Sequence, residues 1–462
     1  MVNKKPGDGG LMEYFLVHYR WVLVVFFLLP MSFFYDIYYY TRSWIIFKLS
    51  SAPREHVKRV KEVQEQVLKL QDHMMTIVIC PSDLEWMFDV KECIYGKEKI
   101  TKKIKTDMVE LFSQEPQKHS VRCEPMVTMG QLTHTLIDLG WTLPVVPEMD
   151  DLTVGGLVMG TGIESSSHKS GLFQHQCLSF ELVLADGSVV TCSENEVASS
   201  YLPFYSPFYP SFFHNFSFYL QNDDKLVPVL WFQKSQTTEK LILDCLSRAS
   251  SPETAQSQLI KSSEGLTIDL KFRVNICQDR PVSATLTLVN AIGSWYKPWF
   301  FKHVSEFLEK GEAVEYIPIR DYYHRHTRSI FWEIQDIIPF GNNVVFRYLL
   351  GWMVPPKVSL LKLTQGETVK KLYENNHVIQ DMLVPVANMK EALEMFEKEV
   401  KIYPIWLCPF KLPPNPGMLR PVGDAETLYV DIGIYGVPGV DDFHPINTTR
   451  RVEEFVRNVK GF

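Results

Sequence analysis

The stretch Thr153-Val-Gly-Gly-Leu-Val-Met-Gly-Thr-Gly-Ile-Glu-Ser-Ser-Ser-His-Lys-Ser-Gly171 holds five glycines, a run of hydroxyl side chains and one acidic residue, Glu164. Glycines packed this densely let a backbone lie against a ligand and point several N–H groups at one anion, most often a phosphate. Glycine-rich loops also occur as plain turns. The clustering alone therefore leaves a phosphate site and a simple turn both open.

An alternating apolar segment follows, Phe180-Glu-Leu-Val-Leu-Ala-Asp-Gly-Ser-Val-Val190, which predicts a hairpin with positive φ at both Asp186 and Gly187. The pattern is not the Rossmann fingerprint, because no strand-Gly-x-Gly-x-x-Gly-helix unit precedes an acidic residue about 20 positions on, and it is not a P-loop. The spacing from Thr-Val-Gly-Gly through Gly-Thr-Gly to Ala-Asp-Gly resembles the PCMH-type FAD-binding domain of the vanillyl-alcohol-oxidase-type flavoproteins. In that family the paired-glycine loop wraps the FAD pyrophosphate.

This resemblance implies that the loop contacts FAD, chiefly through backbone N–H groups. The residues predicted to bind the cofactor are Thr153, Gly155, Gly156, Thr161, Gly162, Ile163, Glu164, Ser165, Ser166, Ser167, His168, Lys169, Ser170, Gly171, Leu172 and Phe173. Relatives that attach FAD covalently use a histidine in an earlier loop. No Arg-x-x-Gly-His pattern occurs near residues 75–100, so we expect non-covalent FAD, with His168 hydrogen-bonded to the cofactor or to the loop backbone.

Length and charge limit the function classes. A chain of 462 residues suggests two to three domains. A net charge of −7 and a pI near 6.0 argue against nucleic acid as a partner, and no basic patch is interleaved with aromatic residues. The eight cysteines form no Cys-x-x-Cys pair, which disfavours a zinc site or a disulfide framework and suits a reducing compartment. We therefore predict no metal.

An apolar segment lies near the start of the chain. From Trp21 to Tyr35 every residue except Pro30 and Ser32 is apolar or aromatic, and the segment is long enough to span the hydrocarbon layer. A buried core helix and a cleaved signal peptide are the alternatives, although no small-residue cleavage site follows. We predict an N-terminal segment at 1–20 and a single-pass anchor at 21–42. Basic residues are more numerous after the anchor, which places the bulk of the chain in the cytosol.

Short strands and helices alternate beyond the anchor. Pro53–Leu70 is predicted as a helix with a valine stripe at Val57, Val60, Val63 and Val67. A second helix is predicted from Gly130 to Leu139, ended by Gly140. The fold class expected is α+β: an N-terminal transmembrane helix, a two-part PCMH-type FAD-binding domain at 50–225, and a C-terminal α+β substrate domain at 291–462.

The C-terminal half carries long, unusual motifs. These are Trp295-Tyr-Lys-Pro-Trp-Phe-Phe-Lys302, Tyr316-Ile-Pro-Ile-Arg-Asp-Tyr-Tyr-His-Arg-His-Thr-Arg-Ser-Ile-Phe-Trp-Glu333, Ile337-Ile-Pro-Phe-Gly-Asn-Asn343, Tyr403-Pro-Ile-Trp-Leu-Cys-Pro409 and Leu428-Tyr-Val-Asp-Ile-Gly-Ile-Tyr-Gly436. Together with the glycine loop and Ser50-Ser-Ala-Pro-Arg54 they resemble the delta(24)-sterol reductase family. The resemblance is collinear and covers roughly residues 11–74, 119–193 and 291–462.

What the resemblance implies is specific. The family is anchored in the endoplasmic reticulum membrane, with the Golgi membrane as the alternative, binds FAD, uses NADPH and reduces the C24–C25 double bond of a sterol side chain, as in desmosterol to cholesterol. The abundant aromatic residues around 295–352 would line the sterol pocket. Sterol and lipid bilayer are the expected partners, nucleic acid is not, and a homo-oligomer is left open.

An isolated alkene accepts hydride only when a positioned acid protonates the other carbon. Tyr435, His324 and His326 are the catalytic candidates for that acid. The alternative for Tyr435 is a side chain that caps its strand and packs in the core. For residues 324–328 the alternative is a solvated helix face, with ion pairs to Asp321 and Glu333.

Three departures from the family are visible. Residues 74–118 match poorly, residues 194–290 lose the resemblance, and the chain ends several dozen residues early, so that a faulty gene model or a divergent paralogue is expected. Two further functions therefore stay open: a catalytically dead, membrane-anchored isoform that still binds sterol, and an FAD oxidase or synthase acting on another lipid.

Overall fold

The computed structural model describes most of the chain. The described residues are 19–49, 52–71, 78–79, 103–104, 111–115, 120–184, 186–193, 212–219, 221–222, 226–235, 254–261, 267–274, 289–310, 313–357, 361, 367–414 and 425–462. Outside this part lie most of 74–118, much of 194–290 and the first 18 residues. The predictions made for the structure of these residues lie outside it as well.

Twelve α-helices are used below. The first, α1, runs through three consecutive segments, Arg20–Leu23, a π-helical turn at Val24–Leu28 and Leu29–Leu49. The others are α2 (Ala52–Gln71), α3 (Met129–Asp138), α4 (Val154–Met159), α5 (Ser167–Ser170), α6 (Phe300–Lys310), α7 (Ile319–Tyr323), α8 (Ile334–Ile337), α9 (Val344–Leu350), α10 (Glu367–Asn376), α11 (Met389–Glu399) and α12 (Pro445–Asn458).

The strands number sixteen in the described residues. They are β1 (Val78–Ile79), β2 (Lys103–Ile104), β3 (Leu111–Glu115), β4 (Ser120–Cys123), β5 (Trp141–Thr142), β6 (Cys177–Val183), β7 (Val189–Ser193), β8 (Phe212–Tyr219), β9 (Gln221–Asn222), β10 (Leu226–Ser235), β11 (Thr254–Lys261), β12 (Thr267–Val274), β13 (Ala313–Pro318), β14 (Val378–Pro385), β15 (Ile405–Leu412) and β16 (Thr427–Gly436).

Two larger sheets organise these strands. One has the order β3-β4-β8-β6-β7, and the other has the order β13-β10-β12-β11-β15-β16-β14. Strands from the segment 194–290 join both sheets. β8 lies between β4 and β6, whereas β10 pairs with β13, β11 pairs with β15, and β12 lies between β10 and β11. The mixed helix and strand content agrees with the predicted α+β class, whereas the predicted domain boundaries stay predictions.

The helices near the glycine loop form where the sequence places them. α3 has a capping box, in which the Thr128 hydroxyl accepts from the Gln131 N–H at 3.2 Å and the Gln131 side chain accepts from the Thr128 N–H at 3.0 Å. Gly140 follows with a φ of +81°, the expected left-handed end. α2 buries Val60, Val63 and Val67.

Two local predictions need correction. Val57 lies on the predicted apolar stripe of α2 but is exposed, because the stripe turns away from the protein body at this end. In the hairpin between β6 and β7, Gly187 has a φ of +79° but Asp186 is not at positive φ. The Asp186 carboxylate instead accepts from the Ser188 N–H at 2.8 Å, so a longer loop replaces the predicted two-residue turn.

α1 is the one helix in the described residues that is long and apolar enough to cross a membrane, over Arg20–Tyr38. Val24, Val25, Leu28 and Leu29 on one side of it are buried against the protein body. The opposite side is exposed. The helix is therefore partly a core element, which was the alternative weighed for it.

Candidate functional site

The glycine loop begins at α4. The Thr153 hydroxyl caps this helix by accepting from the Gly156 N–H at 3.2 Å. The Gly155 N–H donates to the Pro125 carbonyl at 2.8 Å, and a Cβ at Gly155 would lie 2.9 Å from Pro125 Cβ. Position 155 thus requires a glycine, because the backbone here lies too close to Pro125 for a side chain. No such close neighbour is found for Gly156 among the described residues, which leaves its open side to a ligand.

The middle of the loop leaves several donors unused. Within the described residues, the N–H groups of Thr161, Ile163, Ser165 and Ser166 donate to no protein acceptor. Thr161 has a φ of +55°, a conformation that non-glycine residues rarely adopt. Successive N–H groups of this kind form anion-binding concavities. The backbone at 161–166 therefore fits the phosphates of a dinucleotide.

The rest of the loop is packed. Gly162 has no room for a side chain, since a Cβ there would lie 3.0 Å from both Leu157 and Phe173. The buried His168 ring places Nδ1 2.8 Å from the Ser165 carbonyl, which confirms the predicted bond to the loop backbone. The predicted site residues Gly171, Leu172 and Phe173 are buried, as is Ser167, while Lys169 is exposed and Ser170 is half-exposed.

A buried ion cluster lies beneath the loop. Arg325 Nη2 donates to Glu164 Oε1 at 2.9 Å and lies 3.7 Å from Glu148 Oε1. The Ser165 hydroxyl donates to Glu164 Oε1 at 2.6 Å. Burial, and after it the charge of Glu164, raises the pKa of Glu148 well above its usual range. Because Glu164 is held by Arg325, its side chain orders the loop.

The prediction of a solvated helix face at residues 324–328 is wrong. His324, Arg325 and His326 are buried in a turn, and their neighbours are core residues. Arg325 pairs with Glu164, and the predicted pairing with Asp321 and Glu333 does not form. The reason is tertiary: the glycine loop brings two carboxylates to a segment whose own sequence looks surface-exposed.

The two histidines of this segment are neutral at physiological pH. His324 Nε2 lies 2.7 Å from the Thr133 hydroxyl, and burial lowers the pKa of His324 to about 3. The His326 ring stacks on Phe331 with centroids 4.3 Å apart, and its nitrogens have no hydrogen-bond partner in the described residues. Burial, and then the charge of Arg325, lowers the pKa of His326 as well.

Tyr435 lies near the end of β16 and is buried. Its hydroxyl donates to Asp381 Oδ1 on the neighbouring strand β14 in a short hydrogen bond. Asp381 as a whole residue is exposed at the sheet edge, although its carboxyl lies against the phenol. The ring also packs 5.2 Å from Phe331 and 5.4 Å from Trp332, between centroids.

A second buried carboxyl shares this face of the sheet. Asp431 comes four residues before Tyr435 on the same strand, and its Oδ1 has no hydrogen-bond partner among the described residues. Burial, and then the charge of Asp381, raises the pKa of Asp431 well above its usual value. Burial and the two aspartates also raise the pKa of Tyr435. The phenol therefore stays protonated across neutral pH.

Gly433 explains how the ring reaches Asp381. In the strand register Gly433 lies opposite Asp381, and the Tyr435 side chain leans back over it. A Cβ at position 433 would collide with the Tyr435 hydroxyl. The sequence Gly-Ile-Tyr therefore sets the position of the phenol.

A cavity of about 560 Å³ opens beside Tyr435. One part of its wall is apolar or aromatic and includes Phe301, Trp332, Ile402 and Tyr435. The other part is polar and includes Lys302, Ser305, Gln335, Asp336 and Lys401. The cavity is large enough to accept an apolar chain of several carbons.

The glycine loop packs directly on the sheet face that carries Tyr435. Leu172 forms a buried cluster with Phe410, Tyr429 and Leu383 from β15, β16 and β14. Ile163 packs against both this cluster and the one that contains Tyr435 and Trp406. The loop and the phenol therefore line the same interface between the two halves of the chain.

The aromatic residues of 295–352 separate into two groups. Trp299, Phe301 and Trp332 are buried, while Trp295, Tyr296, Tyr348 and Trp352 are exposed. The stretch is thus divided between the core and the outside of the body, and the expectation that its aromatic residues line the sterol pocket stays a prediction.

Sequence reasoning missed Arg325 as an organising residue, together with Glu148, Asp381 and Asp431. No local signal identifies them, because each acts through a partner distant in the chain. A weak signal exists for Asp431: a carboxylate in the middle of the apolar run Leu428–Gly436 is costly to bury.

Comparison with known proteins supplies the family. A model of the FAD binding domain matches residues 99–193. The delta(24)-sterol reductase of Homo sapiens is 49% identical over 453 residues, which cover 98% of this chain and 86% of the relative. A delta(24)-sterol reductase homolog of Caenorhabditis elegans is 40% identical, over 98% of this chain and 87% of its own.

The similarity extends to plants. The delta(24)-sterol reductase of Arabidopsis thaliana is 34% identical, over 98% of this chain and 85% of the relative. An FAD-binding domain and this identity along nearly the whole chain settle the classification: the chain belongs to the delta(24)-sterol reductase family.

Proposed function

We propose that this chain catalyses FAD-dependent reduction of the C24–C25 double bond in a sterol side chain, with NADPH as the reductant and desmosterol as a substrate. The observation that carries the proposal is the packing of the glycine loop onto the sheet face that holds Tyr435. Family membership supports the reaction and the cofactor.

The loop residues fit a bound dinucleotide. The unused N–H groups at 161–166 would hold the phosphates of FAD, and Gly156 leaves room for the cofactor to approach. FAD supplies hydride for the alkene when it is reduced. The absence of an Arg-x-x-Gly-His pattern near residues 75–100 supports a non-covalent cofactor.

Tyr435 is the proposed proton donor. Its side chain is buried and borders the cavity, and its hydroxyl keeps its proton at neutral pH because burial and two aspartates disfavour the phenolate. His324 and His326 fit this role less well, since both are neutral and buried away from the cavity. The sterol tail would enter the cavity beside Tyr435, with Trp332 and Phe301 excluding water.

A matched pair of variants tests the two halves of the proposal. Purified full-length protein in mild detergent should convert desmosterol to cholesterol with NADPH. Tyr435→Phe should slow sterol turnover by roughly 10²–10⁴-fold and leave flavin reduction by NADPH unchanged, because only alkene protonation is lost. Rapid mixing measures the two steps separately.

Gly156→Val should lower flavin retention, read from the visible absorbance of the purified protein, because the new side chain fills the space left for the cofactor. Unchanged sterol turnover in Tyr435→Phe would move the assignment to a histidine. Full flavin content in Gly156→Val would remove the loop from the cofactor site.

We further propose attachment to the endoplasmic reticulum membrane with the bulk of the chain in the cytosol. The apolar helix α1 and the sterol substrate of the relatives support this location.

A further inference from the structure

One side of the first half of α1, from Trp21 to Asp36, is held to the protein body. Trp21 meets Phe340 edge to face at 5.0 Å near the start of the helix, and Phe33 meets Trp352 at 5.0 Å further along. Between them Val24 and Leu28 are buried in the cluster that also contains Trp332 and Tyr435. A helix that crosses a bilayer as a free anchor has no such continuous contact with an extramembrane body.

Polar contacts fall at the middle of the predicted span. The Lys357 backbone N–H donates to the Ser32 hydroxyl at 2.9 Å, and the Lys357 ammonium lies 3.0 Å from Asp36 Oδ1 and 3.1 Å from Asp151 Oδ2. Ser32 is close to the midpoint of 21–42. If α1 crossed the bilayer, the non-helical backbone at Lys357 and the Lys357 ammonium would lie at the centre of the hydrocarbon layer. The free-energy cost of placing either group there is high.

The outer side of α1 continues into a second apolar surface. Phe26, Phe27 and Phe34 are 60–67% exposed on the face opposite the body. On α9, which follows Phe340, Val345 and Leu349 are each 65% exposed. Trp352 lies in the 3-10 turn Gly351–Met353 directly after α9, and its ring contact with Phe33 brings α1 and α9 together, so that their exposed side chains form one surface.

We propose that α1 lies along one leaflet of the bilayer without crossing it, and that α9 enters the same leaflet beside it. The membrane face consists of Phe26, Phe27, Phe34, Val345, Leu349 and Trp352. The sequence of α1 is apolar on all sides, but the protein body covers one side, so that only the outer side is left to lie below the headgroups. Tyr348 and Trp352 at the edge suit the headgroup level, where aromatic rings with a polar atom concentrate.

A membrane is favoured over a protein partner because this surface is continuous with the exposed side of α1. The surface extends the exposed side of the helix whose composition alone suits a bilayer. The inference does not depend on the proposed reaction, and its tests need no activity.

Topology gives the first test. The full chain with one peptide tag at each end is placed in sealed microsomes and treated with protease. One-leaflet attachment predicts that both tags are digested, since both ends lie on the cytosolic side. Protection of the N-terminal tag until detergent is added would overturn the proposal.

Lipid affinity gives the second test. Leu349→Asp in the full chain should weaken binding to phosphatidylcholine–phosphatidylserine vesicles at limiting lipid by roughly tenfold, because one buried leucine is lost from the surface. Ile446→Asp is the matched control: Ile446 is 58% exposed on α12, outside the membrane face, and should bind like wild type. Equal vesicle binding by Leu349→Asp and wild type would remove α9 from the membrane face.

Discussion

The glycine loop and the Tyr435 strand meet at one interface but are built differently. The loop has several contacts between residues close in sequence, such as the Thr153 cap on Gly156 and the His168 contact with Ser165, beside the distant ion pair of Glu164 with Arg325. The strand site depends on Asp381, which lies 54 residues away from Tyr435 in sequence. Local contacts leave a pattern in the sequence and long-range contacts do not.

Arg325, which pairs with Glu164 of the loop across 161 residues of sequence, gives the largest expected effect. Arg325→Met should lower the free energy of unfolding by about 3–5 kcal/mol, because it leaves the Glu164 carboxylate buried without a cation. Thermal or denaturant unfolding of the flavin-free protein in detergent measures the change. Arg122→Met is the control, since its pair with Glu181 is 43% exposed on the arginine side and should contribute about 0–1 kcal/mol. Similar losses in the two variants would contradict the distinction between a buried and an exposed ion pair.

His175 tests the loop by pH. Its Nδ1 accepts from the Leu172 N–H at 3.1 Å, and burial lowers the pKa of His175 to about 4. As the pH falls, the His175 ring takes up a proton in the unfolded state at a higher pH than in the folded state. The stability that the neutral ring contributes above pH 6.5 is therefore lost as the pH falls from 6.5 towards 4.

His175→Gln should therefore flatten the decline in stability over this window by roughly 2–3 kcal/mol at the acid end. Unfolding free energies measured at several pH values give the result. The exposed His134, changed to Gln, should leave the slope as in wild type. A slope unaffected by His175→Gln would show that this ring is not held neutral by the fold.

The smallest effect is expected at a purely local contact. Thr128→Ala removes one half of the capping box of α3 and should cost about 1 kcal/mol of unfolding free energy. Thr135→Ala on the same helix is the control, because the exposed Thr135 hydroxyl bonds only within the helix, to the Gln131 carbonyl at 3.0 Å. Chemical denaturation distinguishes them. A loss at Thr128 as large as that at Arg325 would break the comparison.

The difference between local and long-range contacts also explains how much of the fold and the site could be predicted from the sequence. α3 follows from neighbouring residues: its prediction at Gly130–Leu139 lies within one residue of Met129–Asp138 at each end, and the Gly140 end is confirmed. Of the two bonds predicted for His168, the structure has the one to the loop backbone. The burial of residues 324–326 was not predicted, because charged residues there look solvent-exposed until Glu164 is brought beneath them. The position of Asp381 and Asp431 near Tyr435 could not be predicted, since their strand register with Tyr435 depends on the whole sheet.

Gly433, which lies beneath the Tyr435 phenol, helps to interpret the sequences of related proteins. Because a side chain at position 433 would occupy the place of the Tyr435 oxygen, the two positions are free to vary only together. A related sequence that keeps the tyrosine but replaces this glycine must turn the ring elsewhere and lose its contact with the aspartate. The pair at 433 and 435 therefore marks, from sequence alone, which relatives have kept the proposed proton donor in place.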